Sequence, residues 1–386
     1  MADWARLANT TINEYLRGEE VQVMRNRKIL ALLQDRGRVT FNHNGLLLDW
    51  KIRYRRAPLT GFIDGDTLSF SRQNRWRTAQ VDWRGYAMTD QMTEFEKQKN
   101  KGDAAIVKVW SEMAKLLVDD ITDQFGDEPY IDGTAAGNSK RFLGIESFMA
   151  STVTGTKQPI GRPSQTSYAG NSCVLGNYGG SWSSTGSTAD TATIPSGDWP
   201  TGTGDAHFDF WSPLIVDYTS AAVTGAAAGG TGITGWQAST KTWANTCLEA
   251  VRYGIINSQK NKSKKSMLDL VALEIEMFRL FKDKAQTEEQ LFVTRGDAGD
   301  GLYKLGFKDI VNFDGIDVTS EYGIPRYTGY GWNIDAVELC SLLDVLIKSK
   351  GPDYDMASDA YRFAVFIMGN FKFNNIRQFC KFKNIS

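Results

Sequence analysis

Two periodicities meet between residues 49 and 125. Trp50, Ile52 and Tyr54 alternate with Lys51, Arg53 and Arg55, a period of two that predicts a strand with one apolar and one charged face. Ala79, Val81 and Trp83 alternate with Gln80, Asp82 and Arg84 in a return strand that starts near Trp76. About twenty residues, Arg56 to Arg75, separate the two, more than a tight hairpin turn uses. They include a polar, Gly-containing tip around Gly61 to Gly65. The pattern therefore predicts a long two-stranded arm. A lone ribbon of this kind is marginally stable in water, so its face is expected to land on another subunit.

The period changes at Thr93. Thr93-Glu94-Phe95-Glu96 is a capping-box sequence, in which the hydroxyl and the carboxylate satisfy orphan backbone amides at a helix start. Apolar residues then recur three or four apart, at Ile106, Trp110, Met113, Leu117, Ile121 and Phe125, and Gly126 is read as the stop. Gly102 weakens the early part, so the firm helix is Asp103 to Phe125. These six apolar residues are its expected core face.

An earlier helix pattern runs from Glu19 through Leu30 and Leu33 to a stop at Gly37, with Arg25, Arg27 and Lys28 expected on a solvated or partner-facing side. Downstream, helices are expected over Thr240–Ile256, Glu274–Lys284 and Ile334–Ser349. Strands are expected over Met267–Leu273, at Ile310-Val311 and Ile316–Val318, and over 363–368, 371–373 and 379–382. Gln165 to Thr240 contains no lysine or arginine and is rich in Gly, Ser, Thr and Ala. That stretch reads as a long loop or β-rich excursion, ordered in part by Trp182, Trp199, Trp211 and Trp236.

Length and charge narrow the picture further. A chain of 386 residues exceeds what one hydrophobic core usually serves, so two domains are expected. Twelve per cent aromatic residues and 37 glycines favour sheets and turns over helix bundles. A net charge of -1 offers no electrostatic argument for a nucleic-acid or membrane-surface partner. Cys173, Cys247, Cys340 and Cys380 lie far apart with no CxxC pair, which points to buried or surface thiols, with a disulfide as the lesser reading, rather than a zinc site. The first residues lack the apolar core of a secretory signal, and no apolar run reaches membrane-spanning length. The expectation is a soluble protein made in a cytoplasm.

No stretch carries a catalytic signature. Gly230 to Gly235 spells GxGxxG but follows an Ala/Gly tract instead of a strand, so it reads as a loop. Arg295-Gly296-Asp297 reads as a turn, and Asp297, Asp300 and Asp314 do not have calcium-loop spacing. His43 and His207 stand apart from any nucleophile motif, and Asp119-Asp120 falls on the outer side of the long helix. No catalytic, cofactor or metal residue is assigned.

The order of these elements carries a resemblance. So do Gly126-Asp127 to Asp132-Gly133 leading into Phe142-Leu143-Gly144-Ile145-Glu146, Leu305-Gly306-Phe307, Phe313 to Val318, and Gly323-Ile324-Pro325. Together they resemble the major capsid proteins of tailed bacteriophages with the HK97 fold, from about Glu19 onward. The resemblance implies an α+β chain. Its parts would be an N-terminal arm (1–48), an extended E-loop hairpin (49–90), and a P-domain spine helix with the start of the P-domain sheet (91–133). An A-domain holding the 165–240 excursion (134–325) and a C-terminal return completing the P/A-domain sheet (326–386) would follow. It implies a virion protein, assembled in a bacterial host cytoplasm, that forms hexamers and pentamers and an icosahedral shell around double-stranded DNA without reading its sequence. No cofactor and no membrane are implied. A portal protein, a separate scaffolding protein and a decoration or cement protein are the further partners it suggests.

Some members of that family lock subunits through a Lys–Asn bond from the E-loop tip. Residues 56–75 contain no lysine here. The expected inter-subunit fasteners are instead Arg53, Arg55, Arg56, Arg72, Arg75 and Arg77, whose planar forks suit interface carboxylates. Three other readings stay open: an encapsulin-like nanocompartment shell, a tail-associated glycan-binding β module, and a hydrolase with paired carboxylates. The long helix and the strand–helix alternation after Met267 argue against the β module.

Overall fold

The computed structural model describes residues 27–53, 61–68, 70, 76–99, 113, 116–117, 119–121, 123–150, 160–161, 167–173, 211, 213–219, 242–258, 268–288, 307 and 309–384. In chain order, α1 (Lys28–Asp35) and β1 (Val39–Thr40) lead into the arm strands β2 (Leu47–Arg53) and β3 (Trp76–Asp82). Next come β4 (Arg84–Thr93), α2 (Glu94–Lys99), helical residues between 113 and 127 (α3), a 3-10 turn Glu128–Tyr130, and α4 (Glu146–Met149). Short strands β5 (Ile160–Gly161), β6 (Ser167–Tyr168) and β7 (Asn171–Ser172) precede β8 (Leu214–Asp217), α5 (Trp243–Ser258), β9 (Leu270–Leu273) and α6 (Ile275–Glu288). The chain closes with β10 (Ile310–Phe313), β11 (Ile316–Ser320), β12 (Thr328–Trp332), β13 (Val337–Ser341), β14 (Lys348–Asp355), β15 (Ala360–Phe373) and β16 (Cys380–Lys383).

The long strand β15 is the axis of the first sheet. β4 runs antiparallel along one side of it, from Ala360 opposite Thr93 to Gly369 opposite Arg84. Gly369 also pairs with Ser341, so β13 lies on the opposite side, and β14 continues along that side from Phe366 to Ala360. β1 joins β13 in parallel. The second sheet is mixed, in the order β10-β11-β9-β12-β16-β8-β5.

The second sheet is a wall between two cores, because a strand's side chains alternate across the sheet. In β9, Leu270 and Ala272 join the core shared with the first sheet, while Val271 and Leu273 join the core beneath α5 and α6. The helix pattern around residues 243–255 is borne out here: Trp243, Cys247, Val251 and Ile255 are all buried against that second core.

The capping box forms as its residues require. The Glu96 amide donates to Thr93 Oγ1 at 3.2 Å, and the Thr93 amide donates to Glu96 Oε2 at 3.1 Å. Replacing Thr93 with alanine is expected to cost about 1 kcal/mol in chemical denaturation, the usual value of such a cap.

Three expectations need correction. No helix covers Ile334–Ser349; Ile334–Ala336 is a 3-10 turn, followed by strands β13 and β14. The three-to-four spacing of Leu339, Leu342, Leu343 and Leu346 is overridden by long-range pairing of β13 with the far end of β15. Gly126 does not stop α3, which continues to residue 127 and into the 3-10 turn. Its missing side chain makes room for the stem of Arg27, which a Cβ would strike. Finally, the root of the arm does not wait for a neighbour. Leu48, Trp50, Ile52, Ala79 and Val81 are buried in the subunit's own first core.

Candidate assembly surface

The arm's register decides which residues share a face. Leu48 opposes Val81, Trp50 opposes Ala79 and Ile52 opposes Arg77, which puts the buried residues on one side. Asp49, Lys51 and Arg53 oppose Gln80, Thr78 and Trp76 on the other, exposed side. The two arginines that can be placed, Arg53 and Arg77, therefore sit on opposite faces of the ribbon. Arg55, Arg56, Arg72 and Arg75 lie outside the described residues, as do Ile106 and Trp110 of the long helix. On α3, Leu117, Ile121 and Phe125 are buried and Met113 is half-buried against the first core.

Hydrogen bonds fix the root. The Asn171 side-chain amide donates to Thr78 O at 3.1 Å, the Gln80 amide to Ala169 O at 3.1 Å, and Asn370 Nδ2 to Asp82 O at 2.9 Å. Trp83 Nε1 donates to Gly45 O at 3.0 Å where β2 begins. The sequence reading missed the tip's apolar side chains. Phe62 is 68% exposed, Ile63 78%, Phe70 92% and Trp76 59%. A turn closed by Asp66, whose carboxylate accepts from the Ile63 amide at 2.8 Å, holds Phe62 and Ile63 outward. Large apolar side chains left exposed among the described residues of the arm mark a contact surface. Their signal in the sequence was only one hydrophobic dipeptide, Phe62-Ile63, and the single aromatics Phe70 and Trp76 among polar residues.

Behind the arm, two buried polar groups brace the body. Glu128, buried under α3, takes Arg141 Nη2 at 2.6 Å and the Tyr86 hydroxyl, while the Phe142 amide donates to Tyr86 Oη at 2.6 Å. Burial first, and then Glu128, push the Tyr86 phenol far above its usual range. These ties join β4 to the end of α3 and to the turn before α4. Beside them a groove of about 370 Å³ is lined by Met88, Ile121, Phe125, Val365 and Ile367. In the second brace, Lys381 is buried on the wall face toward the first core. It ion-pairs with Glu146, which also accepts from the Tyr330 hydroxyl, and donates to Met149 O at 3.1 Å. Burial lowers the Lys381 ammonium's pKa, with Glu146 opposing that effect.

The four cysteines are buried free thiols, and among the described residues no three His, Cys, Asp or Glu side chains are grouped to hold a metal ion. His43 Nε2 lies 2.7 Å from Thr40 Oγ1 beside the first sheet. No helix among the described residues is long and apolar enough to cross a membrane.

Neither a family model nor a curated protein matches the sequence. The fold does have solved counterparts. A chain of the cyanophage A-1(L) capsid asymmetric unit is 15% identical, with a TM-score of 0.54 over 93% of this chain and 92% of that one. The fold is that of a phage capsid protein. A chain of the bacteriophage PhiM1 mature capsid is 9% identical with a TM-score of 0.49, over 90% of this chain and 86% of that one. The capsid of the native GTA particle gives 11% identity and a TM-score of 0.47, over 92% and 90%. At TM-scores under 0.5 these two add nothing to the assignment, which rests on the cyanophage capsid chain.

Proposed function

We propose that this chain is the major capsid protein of a tailed phage, a structural protein whose copies assemble into hexamers and pentamers and close an icosahedral shell around double-stranded DNA. The arm hairpin serves as the E-loop, α3 as the spine helix, and the second sheet with α5 and α6 as the A-domain. The observation that carries this reading is the exposed apolar tip on a rooted hairpin, in a chain with a phage capsid fold. A single subunit gains nothing by holding Phe62, Ile63, Phe70 and Trp76 in water; a neighbour's surface would bury them. Repeating head-to-tail contacts that close around symmetry axes are what such a projection supports. The arm's arginines add ion pairs that salt screens, over a Debye length of about 10 Å at 0.1 M. The near-neutral chain suits enclosing DNA without gripping it.

Deleting residues 56–75 tests the reading. The full chain, expressed alone or with a scaffolding partner, is expected to give capsomers or closed particles by negative-stain microscopy and light scattering. The deleted form is expected to stay folded by circular dichroism and to close no shells. Closed particles from the deletion variant would refute the arm as clamp. A full chain that stays monomeric under all conditions would refute the shell itself.

A further inference from the structure

Glu321, just past β11, is 6% exposed and lies between the first turn of α1 and the Glu128–Tyr130 turn. Its Oε2 accepts from the Tyr130 hydroxyl at 2.7 Å. Its Oε1 is buried with no hydrogen-bond partner among the described residues. The Ile29 amide, in the first turn of α1, lies against the same carboxylate. The α1 helix lacks a side-chain cap of its own, so this acid from a distant strand end stands where a cap would be.

Among the described residues, the two cations near Glu321 are engaged elsewhere. Lys28 donates to Thr319 Oγ1 and Ser320 O, both at 2.6 Å, and it faces Asp309 as well as Glu321. Arg27 reaches Asp127 at 3.4 Å and donates to Asp123 O at 3.0 Å. Tyr130 in turn packs against Tyr330, with ring centroids 5.6 Å apart and the rings tilted by 33°. A buried carboxylate so sparsely partnered among the described residues is better served by a proton than by a charge.

We propose that Glu321 is a proton-operated clasp on α1: protonated, it holds the first turn of α1 against the end of β11; ionised, it lets that turn open. The purpose such a clasp serves is to make the attachment of the first turn of α1 respond to pH near neutrality while the body of the subunit stays folded.

The sign follows from burial. Burial pushes the Glu321 carboxyl up to about 7, against Tyr130, Ile29, Lys28 and Arg27, which favour its charge. Opening returns it to the ordinary carboxylate range, so the closed state holds the proton more tightly than the open one. Closure is then strongest at low pH, weakens as pH rises from the solvent value toward about 7, and changes little above that.

Hydrogen exchange on the full-length protein, corrected for intrinsic rates, reads this directly. Between pH 5.5 and 8, protection of residues 28–33 is expected to fall about thirtyfold relative to α5, the ratio such a carboxyl shift gives. In Glu321→Gln the neutral amide keeps an acceptor for Tyr130 and cannot ionise, so the pH dependence is expected to vanish. In Lys28→Gln, loss of the neighbouring cation is expected to carry the fall to higher pH. A wild-type profile that stays flat relative to α5 overturns the proposal, whether or not the variants fold. So does a Glu321→Gln profile as steep as the wild type.

Discussion

Replacing Lys381 with methionine is expected to destabilise the subunit by about 3–5 kcal/mol, the usual cost of stranding one member of a buried ion pair. Lys381 is 2% exposed, and its partner Glu146 has only 14% of its side chain in water. Without the ammonium, the Glu146 carboxylate keeps the Tyr330 hydroxyl but loses its counter-charge on a face that looks into the first core. The loss should appear as a lower urea midpoint and reduced soluble yield. Adding Glu146→Gln to the same chain is expected to recover most of it, because no charge is then left behind. Recovery in the double variant separates a stranded charge from lost packing, since a packing defect at position 381 would remain.

Gly144→Ala is the second large effect. A Cβ at this position would lie 2.5 Å from Glu128 O, 2.6 Å from Ile131 O and 2.7 Å from Ile131 N. All three are backbone atoms, so no side chain can turn aside. The surrounding turn is also pinned: the Leu143 amide donates to Asn370 Oδ1 at 2.9 Å and the Ile145 amide to Pro129 O at 2.8 Å. Making room breaks one of these bonds or displaces the Glu128–Arg141 brace. An overpacking cost of about 3 kcal/mol is expected, read from the urea midpoint. Gly61→Ala is the control, because nothing lies within 4 Å of its Cβ position and its φ is unremarkable. That variant should stay within about 0.5 kcal/mol of the parent.

Local periodicity made much of the fold legible. The arm strands, the capping box, α5, α6 and the strand character of 363–373 each declare themselves within ten or fifteen residues, over which alternation or helical spacing is unambiguous. What escaped depends on partners far along the chain. The Ile334–Ser349 segment has helical spacing in isolation, and only the distant strand it pairs with makes it extended. Lys381 alternates with Cys380 and Phe382 as a solvent-facing lysine would; nothing nearby reveals Glu146 on the face toward which Lys381 points. Gly126 looked like punctuation and is a packing site for Arg27. At the arm, arginines attracted the reading because charge is conspicuous, while Phe62, Ile63 and Phe70 gave no sign of whether they faced inward or out.

The rooting of the arm has a mechanical consequence. A projection joined to its subunit by a slack segment can bear tension but not bending, and its far end samples every angle. A projection built in at its base is a cantilever: Trp50 and Ile52 in the core, with the ties from Asn171 and Asn370, resist rotation at the root. In a shell assembled as proposed, the angle at which β2 and β3 leave the body would set the angle between neighbours, and with it the curvature of the wall. Loosening a single side chain at the root would then alter particle size before it altered whether particles form.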